Sequence, residues 1–318
     1  MKYYKKISFE DCINIYELYK NEFQLLANEK NIYDLNKDFL INTIIPISLF
    51  VDQKIKENNK LFKFYISGGQ GSGKTTISDF VKLLLEKHFN YKVASFSIDD
   101  IYLSKKERII LSKKIHPLLK TRGVPGTHNV QLGLDTINSL ESKENKITLI
   151  PKFSKKFDNL FPKIRWEEFE GTPDVIIFEG WCLGALPEPE DHFKKPINSL
   201  EKTFDTNGVW AKWVNKQLSG DYQKLFNLFD LKIYIKSPSF EKIIENRWLQ
   251  EKTAIELDNN SSKFNNYMTK EELFHFVMHF ERITKDMENY MSKNVDILVE
   301  RQNKSDFQII KPDFLNLK

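Results

Sequence analysis

Residues 61–76, LFKFYISGGQGSGKTT, constrain the chain more than any other stretch. An apolar, β-prone run ends at Ser67 and passes into Gly68-x-x-x-x-Gly73-Lys74-Thr75, after which residues 76–85 have the spacing of an amphipathic helix. Glycines at 68, 69, 71 and 73 let the backbone curl until successive N–H groups face one anion, and the positive end of the helix dipole adds to the same site. Strand, loop and helix together make a P-loop. They predict a site for ATP built from Gly69, Gly71, Ser72, Gly73, Lys74, Thr75 and Thr76. Lys74 is expected to bridge the β- and γ-phosphates as the catalytic cation, and the Thr75 hydroxyl to ligate Mg²⁺.

Length and composition set the frame for that loop. The chain has 318 residues, 41% of them hydrophobic, enough for a full core in one α/β domain with insertions or in two domains. A formal net charge of +4, spread over many lysines and glutamates, suits anionic ligands but gives no clustered basic face of the kind nucleic acid needs. Two cysteines, Cys12 and Cys182, make neither a disulfide framework nor a metal knuckle. There is no signal-like N-terminal apolar run and no membrane-length one, so the expectation is a cytoplasmic protein without membrane or nucleic-acid partners.

The acids follow the strands. Residues 91–97 are a short β-prone run ending in Ile98-Asp99-Asp100-Ile101-Tyr102. In open parallel sheets ligands lie outside the carboxyl ends of strands, so acids closing a second strand sit beside the first strand's phosphate loop. Asp99 is the candidate general base with Asp100 as its alternative, although an Asp-Asp pair also suits a plain turn cap. Asp100 and Tyr102 are assigned to the acceptor side. Residues 174–181, DVIIFEGW, form a near-continuous apolar strand that implies burial on both faces, and Glu179 at its end is the candidate acid for Mg²⁺.

Cations complete the candidate set. Arg122 and His128 flank the Gly-Val-Pro-Gly turn at 123–126 and could grip a small carboxylate or phosphate, as could Lys152 in the basic segment 151–156. Arg247, on a helix predicted over residues 240–253, lies in the region where P-loop kinases carry an arginine on a lid over the transferred phosphoryl group, and is the candidate for that role, although such an arginine also suits a plain surface helix. Helices are also predicted over 8–30 and 38–52, the second interrupted at Pro46, as a preface covering one edge of the sheet. Residues 186–205 read as loop, 259–266 as a mobile polar stretch, and 270–291 as one long helix with His275 and His279 on a buried face. The spacing of those histidines is metal-like, but the glutamate of an H-E-x-x-H zinc pattern is missing. Alternating strands and helices predict an α/β P-loop NTPase fold, a three-layer α/β/α sandwich with a mainly parallel sheet and helical insertions. The chain divides into residues 1–60, a helical extension, and residues 61–318, the kinase domain with its lid and acceptor-binding insertions.

Gly68-Gly-Gln-Gly-Ser-Gly-Lys-Thr-Thr76, Ser97-Ile-Asp-Asp-Ile-Tyr-Leu103, Arg122-Gly-Val-Pro-Gly-Thr-His128, Phe178-Glu-Gly-Trp-Cys-Leu-Gly184 and Pro196-Ile-Asn-Ser-Leu-Glu201 resemble the D-glycerate 3-kinase family, part of the phosphoribulokinase, uridine kinase and pantothenate kinase group. The resemblance spans roughly residues 60–300. It implies ATP- and Mg²⁺-dependent phosphorylation of a hydroxyl on a small acid such as D-glycerate, with the first acid after the second strand, Asp99, as base. One departure is visible: where relatives read Pro-x-Tyr/Phe-Asp-Lys, this chain has Pro151-Lys-Phe-Ser154-Lys155. The alternatives are another acceptor (a nucleoside, pantothenate or a sugar acid) or a nucleotide-dependent ATPase or switch that uses water.

Overall fold

A strand that is apolar on both sides of its pleat needs cover on both faces, and residues 174–181 receive it. The computed structural model describes residues 6–58, 60–258, 268–303, 306–312 and 315–316. Its main sheet has six strands: β1 (Phe62–Gly68), β2 (Val93–Ser97), β3 (Val175–Gly180), β4 (Leu231–Lys236), β5 (Ile297–Arg301) and β6 (Phe307–Lys311). Their order is β6-β5-β4-β1-β3-β2, parallel throughout except for the antiparallel β5–β6 pair. β1 thus lies between β3 and β4, with Ile66 opposite Glu179 and Gly68 opposite Ile235. Strand order reverses around β1, so a crevice opens at the carboxyl ends of β1, β2 and β3, where the phosphate loop and both candidate acids emerge.

Alternate strand residues feed two separate cores. Tyr65, Phe96, Ile176, Phe178 and Tyr234 point into one, and Phe64, Ile66, Ile177, Ile233 and Ile235 into the other. Each such side chain, when fully buried, contributes about 1.5–3 kcal/mol relative to exposure. Helices cover both faces, which gives the α/β/α sandwich expected from the sequence.

The N-terminal helices form as Phe9–Glu29, Lys37–Phe39 and Ile45–Asn58, the last two joined by a π turn at Leu40–Ile44. The break expected at Pro46 is therefore a widened turn just ahead of it, which accommodates a residue lacking an N–H. These helices lie on a face of the sheet rather than along an edge. β1 and β3 present Phe62, Phe64, Val175 and Ile177 on that side, more apolar surface than the P-loop helix Lys74–Lys87 covers by itself. Phe23 and Phe39 pack on Phe80 of that helix at ring-centroid distances of 5.9 and 6.3 Å.

Two further expectations change. Within 186–205 lie a 3₁₀ turn, Glu190–Phe193, and a helix, Ser199–Phe204, whose first turn is capped by the Asn198 side chain on the Glu201 N–H. The long helix predicted over 270–291 is two, Lys270–Met278 and Glu281–Asn294. The break turns Phe280 inward against Trp181, with centroids 4.9 Å apart. It also separates the histidines: His279 is buried and His275 exposed, so they share no buried face. The stretch 259–266 lies outside the described residues. Among the described residues no helix is long and apolar enough to cross a membrane.

Candidate active site

The phosphate loop leaves β1 at Gly68 and enters its helix at Lys74 with Gly73 as N-cap and no side chain capping the first turn. That leaves the turn's N–H groups for an anion. Gly71 and Gly73 hold φ of 70° and 96°, the left-handed region that glycine adopts without strain. Space enforces glycine as well, since a Cβ on Gly71 would lie 3.0 Å from Asn246 Cβ and one on Gly73 2.9 Å from the Phe307 ring. Lys74 Nζ donates to Gly69 O at 2.9 Å, and Thr75 Oγ1 donates to Glu179 Oε1 at 2.9 Å. Ser72 is buried inside the loop and Thr76 is half-buried one residue beyond Thr75; neither lines the cleft in front of it.

That cleft, of about 520 Å³, brings Lys74, Thr75, Asp99, Asp100, Tyr102, Arg122, Glu179 and Arg247 together at the carboxyl ends of β1–β3. Burial pushes the Lys74 ammonium down in pKa, and the carboxylates of Glu179 and Asp99 oppose it. Burial likewise pushes Glu179 up against the pull of Lys74. A second cavity of about 50 Å³, walled by Phe193, Trp210, Val214 and Met287, contains none of these groups.

The two neighbouring aspartates divide their work. Asp100 accepts from the backbone N–H of Ser97 at 3.1 Å and of Phe153 at 3.4 Å, closing a capping box on the 3₁₀ turn Ile98–Ile101. Asp99 instead turns its carboxylate to the cleft, where Oδ1 accepts from the Tyr102 hydroxyl at 2.6 Å and Oδ2 pairs with Lys155 Nζ at 2.7 Å. Burial raises the Asp99 pKa, but Lys155, the Tyr102 hydrogen bond and Lys74 outweigh it and hold the group below the usual carboxylate range. The capping role weighed for the pair thus belongs to Asp100.

Of the cations expected on the acceptor side, Arg122 reaches the cleft and two do not. Arg122 Nη1 is held by Asp158 Oδ1 at 2.8 Å, and the same oxygen takes Arg108 Nη2 at 2.5 Å. Arg108 is 2% exposed, donating also to Leu103 O at 3.2 Å and Lys120 O at 2.5 Å. His128 is a correction. It is buried, its ring stacks on Tyr102 at 4.7 Å, and Nδ1 lies 2.7 Å from the Tyr222 hydroxyl. That phenol accepts from the Gly126 N–H at 2.8 Å, which leaves its own proton for His128 Nδ1. Burial lowers the imidazole pKa to about 3, so His128 is a neutral prop beneath Tyr102, not a cationic grip on an anion. Lys152 is the second correction: it is exposed off the cleft wall, and Lys155 takes the position expected of it. Phe153–Ser154 pairs with Asn159–Leu160, and this tight hairpin decides which lysine points inward.

Arg247, on the helix Phe240–Asp258, faces the cleft and pairs with the buried Glu251 at 2.8 Å. Sequence reasoning chose Lys152 from the basic segment in place of Lys155 and missed Arg108, Asp158 and Arg301. Arg301 closes β5, lies over the Phe307 ring at 5.1 Å and donates through Nη1 to Gly71 O, bracing the loop from behind. Its position at a parallel strand's carboxyl end was the available signal. Arg108 and Asp158 carry none, because a buried ion pair across a 50-residue gap leaves no local pattern.

The residues present fit magnesium: Thr75 and Glu179 place two hard oxygens side by side at the phosphate loop, the donor type that cation takes. P-loop kinases of this kind use ATP with Mg²⁺, and kinase homologues, D-glycerate 3-kinase and pantothenate kinase among them, support an ATP-dependent phosphotransferase acting on an alcohol group. Comparison with known proteins narrows the class. The chain is 31% identical over 278 residues to the chloroplastic D-glycerate 3-kinase of Arabidopsis thaliana, a match covering 81% of this chain and 56% of the plant protein, so it spans a little over half that relative's length. It is 28% identical over 239 residues to the uncharacterized kinase mug58 of Schizosaccharomyces pombe, covering 73% of this chain and 82% of that protein. The D-glycerate 3-kinase structure from Cryptococcus neoformans shares its fold, with TM-score 0.68 and 19% identity over 84% of this chain and 99% of that one. No family model matches. The chain is a homologue of D-glycerate 3-kinase.

Proposed function

We propose that the chain transfers the γ-phosphoryl group of ATP to a hydroxyl of a small hydroxy acid, with D-glycerate, giving 3-phosphoglycerate, as the first acceptor to test. The observation that carries this reading is the pairing, in one cleft, of an ionised Asp99 with Arg122 on its acceptor side, next to the P-loop lysine. A carboxylate within hydrogen-bond reach of an alcohol takes its proton, while a guanidinium fork holds the acid end of the same molecule. The plant relative's name supplies the substrate.

In this reading the loop N–H groups and Lys74 hold the triphosphate, and Thr75 and Glu179 would hold Mg²⁺, which when bound would offset negative charge on the phosphates. Asp99, oriented by Tyr102 on its prop His128, accepts the hydroxyl proton. Arg247 exchanges Glu251 for the transferring group, and Trp181, Phe276 and Phe280 wall off water. Most of the acceleration then comes from alignment and charge, with no covalent enzyme intermediate. Release of ADP, followed with a panel of hydroxy acids, sugar acids, pantothenate and nucleosides, tests it. Acceptor-dependent release with D-glycerate supports the proposal. Dependence on another alcohol moves the substrate, and release at full rate without any acceptor replaces the kinase by an ATPase.

A further inference from the structure

A cation facing a triphosphate site needs a partner before the triphosphate arrives, and each of the four lining this cleft has one. Lys74 donates to Gly69 O at 2.9 Å, Arg247 pairs with Glu251 at 2.8 Å, Arg122 with Asp158 at 2.8 Å and Lys155 with Asp99 at 2.7 Å. The first three partners take no part in the chemistry outlined above. The fourth is the base itself. With Tyr102 on Oδ1 and Lys155 on Oδ2, both oxygens of Asp99 are occupied and its charge is neutralised, so an acceptor hydroxyl meets a covered carboxylate.

We propose that Lys155 is a positioning residue that senses the γ-phosphate: it masks Asp99 until ATP is bound, then moves its ammonium onto the terminal phosphate and uncovers the base beside the acceptor. This rests on the phosphotransferase reading above. The hairpin that carries Lys155 is pinned at both ends, so the backbone stays in place during the exchange. The Phe153 N–H donates to Asp100 Oδ1 at 3.4 Å, and Asp158 is tied to the buried Arg108 at 2.5 Å. The Lys155 side chain itself is 64% exposed, so its stem swings with little packing lost. It lines the same cleft as Lys74, Thr75 and Glu179. The terminal phosphate offers more negative charge than one carboxylate and three acceptor oxygens in place of one, which supplies the drive for the move. The acceptor's proton then passes to Asp99 Oδ2 and its oxygen bonds to the γ-phosphorus. The bond from that phosphorus to the β–γ bridging oxygen breaks, ADP leaves with the electron pair, and Asp99 returns the proton to solvent.

Lys155→Met and Lys155→Arg in the full chain decide the matter by calorimetry with ADP and with a non-hydrolysable ATP analogue. Lys155→Met should weaken the analogue by ~10-fold and leave ADP within about twofold, while Lys155→Arg keeps most of the analogue's affinity. In kcat/KM for ATP, which reports the enzyme before ATP binds, the acid limb should move up in Lys155→Met, because burial of Asp99 is then opposed only by Tyr102 and Lys74. Equal losses for ADP and analogue, no loss for either, or an unmoved acid limb overturn the proposal. The ratio of analogue to ADP affinity needs no acceptor. If no alcohol supports ADP release, the proposed reaction falls while the role of Lys155 is still decided.

Discussion

Replacing Asp99 with Asn separates chemistry from binding more sharply than any other change in this site. The Asn carbonyl can still accept from the Tyr102 hydroxyl, whose oxygen lies 2.6 Å from Asp99 Oδ1. Its amide would face the Lys155 ammonium, donor against donor, at the place of a 2.7 Å ion pair. The variant therefore keeps the neutral hydrogen bond, loses the ion pair and frees Lys155. Asp99 is 32% exposed, so the lost pair is partly screened by solvent and the fold should survive with a small shift in melting temperature. ATP binding should hold or tighten, because the liberated Lys155 adds a cation to the phosphate side. Turnover should fall by ~10²–10⁴, the range for removing a general base, equal to about 2.7–5.4 kcal/mol of barrier at about 1.36 kcal/mol per decade. The assay is coupled ADP release at saturating acceptor, beside calorimetry with the ATP analogue. Turnover within about threefold of wild type would falsify the role of Asp99. Loss of analogue binding in parallel with turnover would assign it to the nucleotide site instead.

Three further outcomes follow from the same geometry. Arg122→Gln removes the guanidinium proposed for the acceptor's carboxylate and should raise the acceptor KM by ~10–100-fold while leaving that for ATP nearly unchanged, measured by varying each substrate in turn; equal effects on both would detach Arg122 from the acceptor. His128 should stay neutral and titrate far below the usual histidine range, because burial depresses its pKa to about 3. Between about pH 6.5 and that value the unfolded chain binds a proton the native one refuses, so stability falls with falling pH by up to ~1.4 kcal/mol per unit; an NMR titration of the ring with a midpoint near 6.5 would contradict this. Arg108→Met, at a residue 2% exposed that holds Leu103, Lys120 and Asp158, should cost about 1–3 kcal/mol in urea unfolding, because Leu103 O and Lys120 O lose a donor while Asp158 keeps Arg122. A loss under ~1 kcal/mol would show the pair to be solvated.

The sequence by itself determined the phosphate loop, the parallel sheet and the two acids, because each rests on a local rule. Glycine spacing permits one backbone path from residue 68 to 73, and the apolar run at 174–181 permits only a strand covered on both faces. An acid at the end of a parallel strand has nowhere to go but the crevice. Only the tertiary structure decided between chemically equivalent neighbours. Composition and spacing do not separate Lys152, Lys155 and Lys156, and the hairpin closed by Ser154 and Asn159 puts Lys155, the lysine that stands where the relatives' motif has one, on the cleft. Asp99 and Asp100 differ in role because one turn of 3₁₀ helix directs Asp100 back onto Ser97 and Asp99 into the cleft. His128, which looks like a ligand beside a tight turn, becomes a prop because Tyr102 and Tyr222 close over it. The break at His279–Phe280 turns an aromatic ring toward the site where periodicity continues a helix. In each case long-range packing sets the direction of a side chain, and no window of neighbouring residues contains that information.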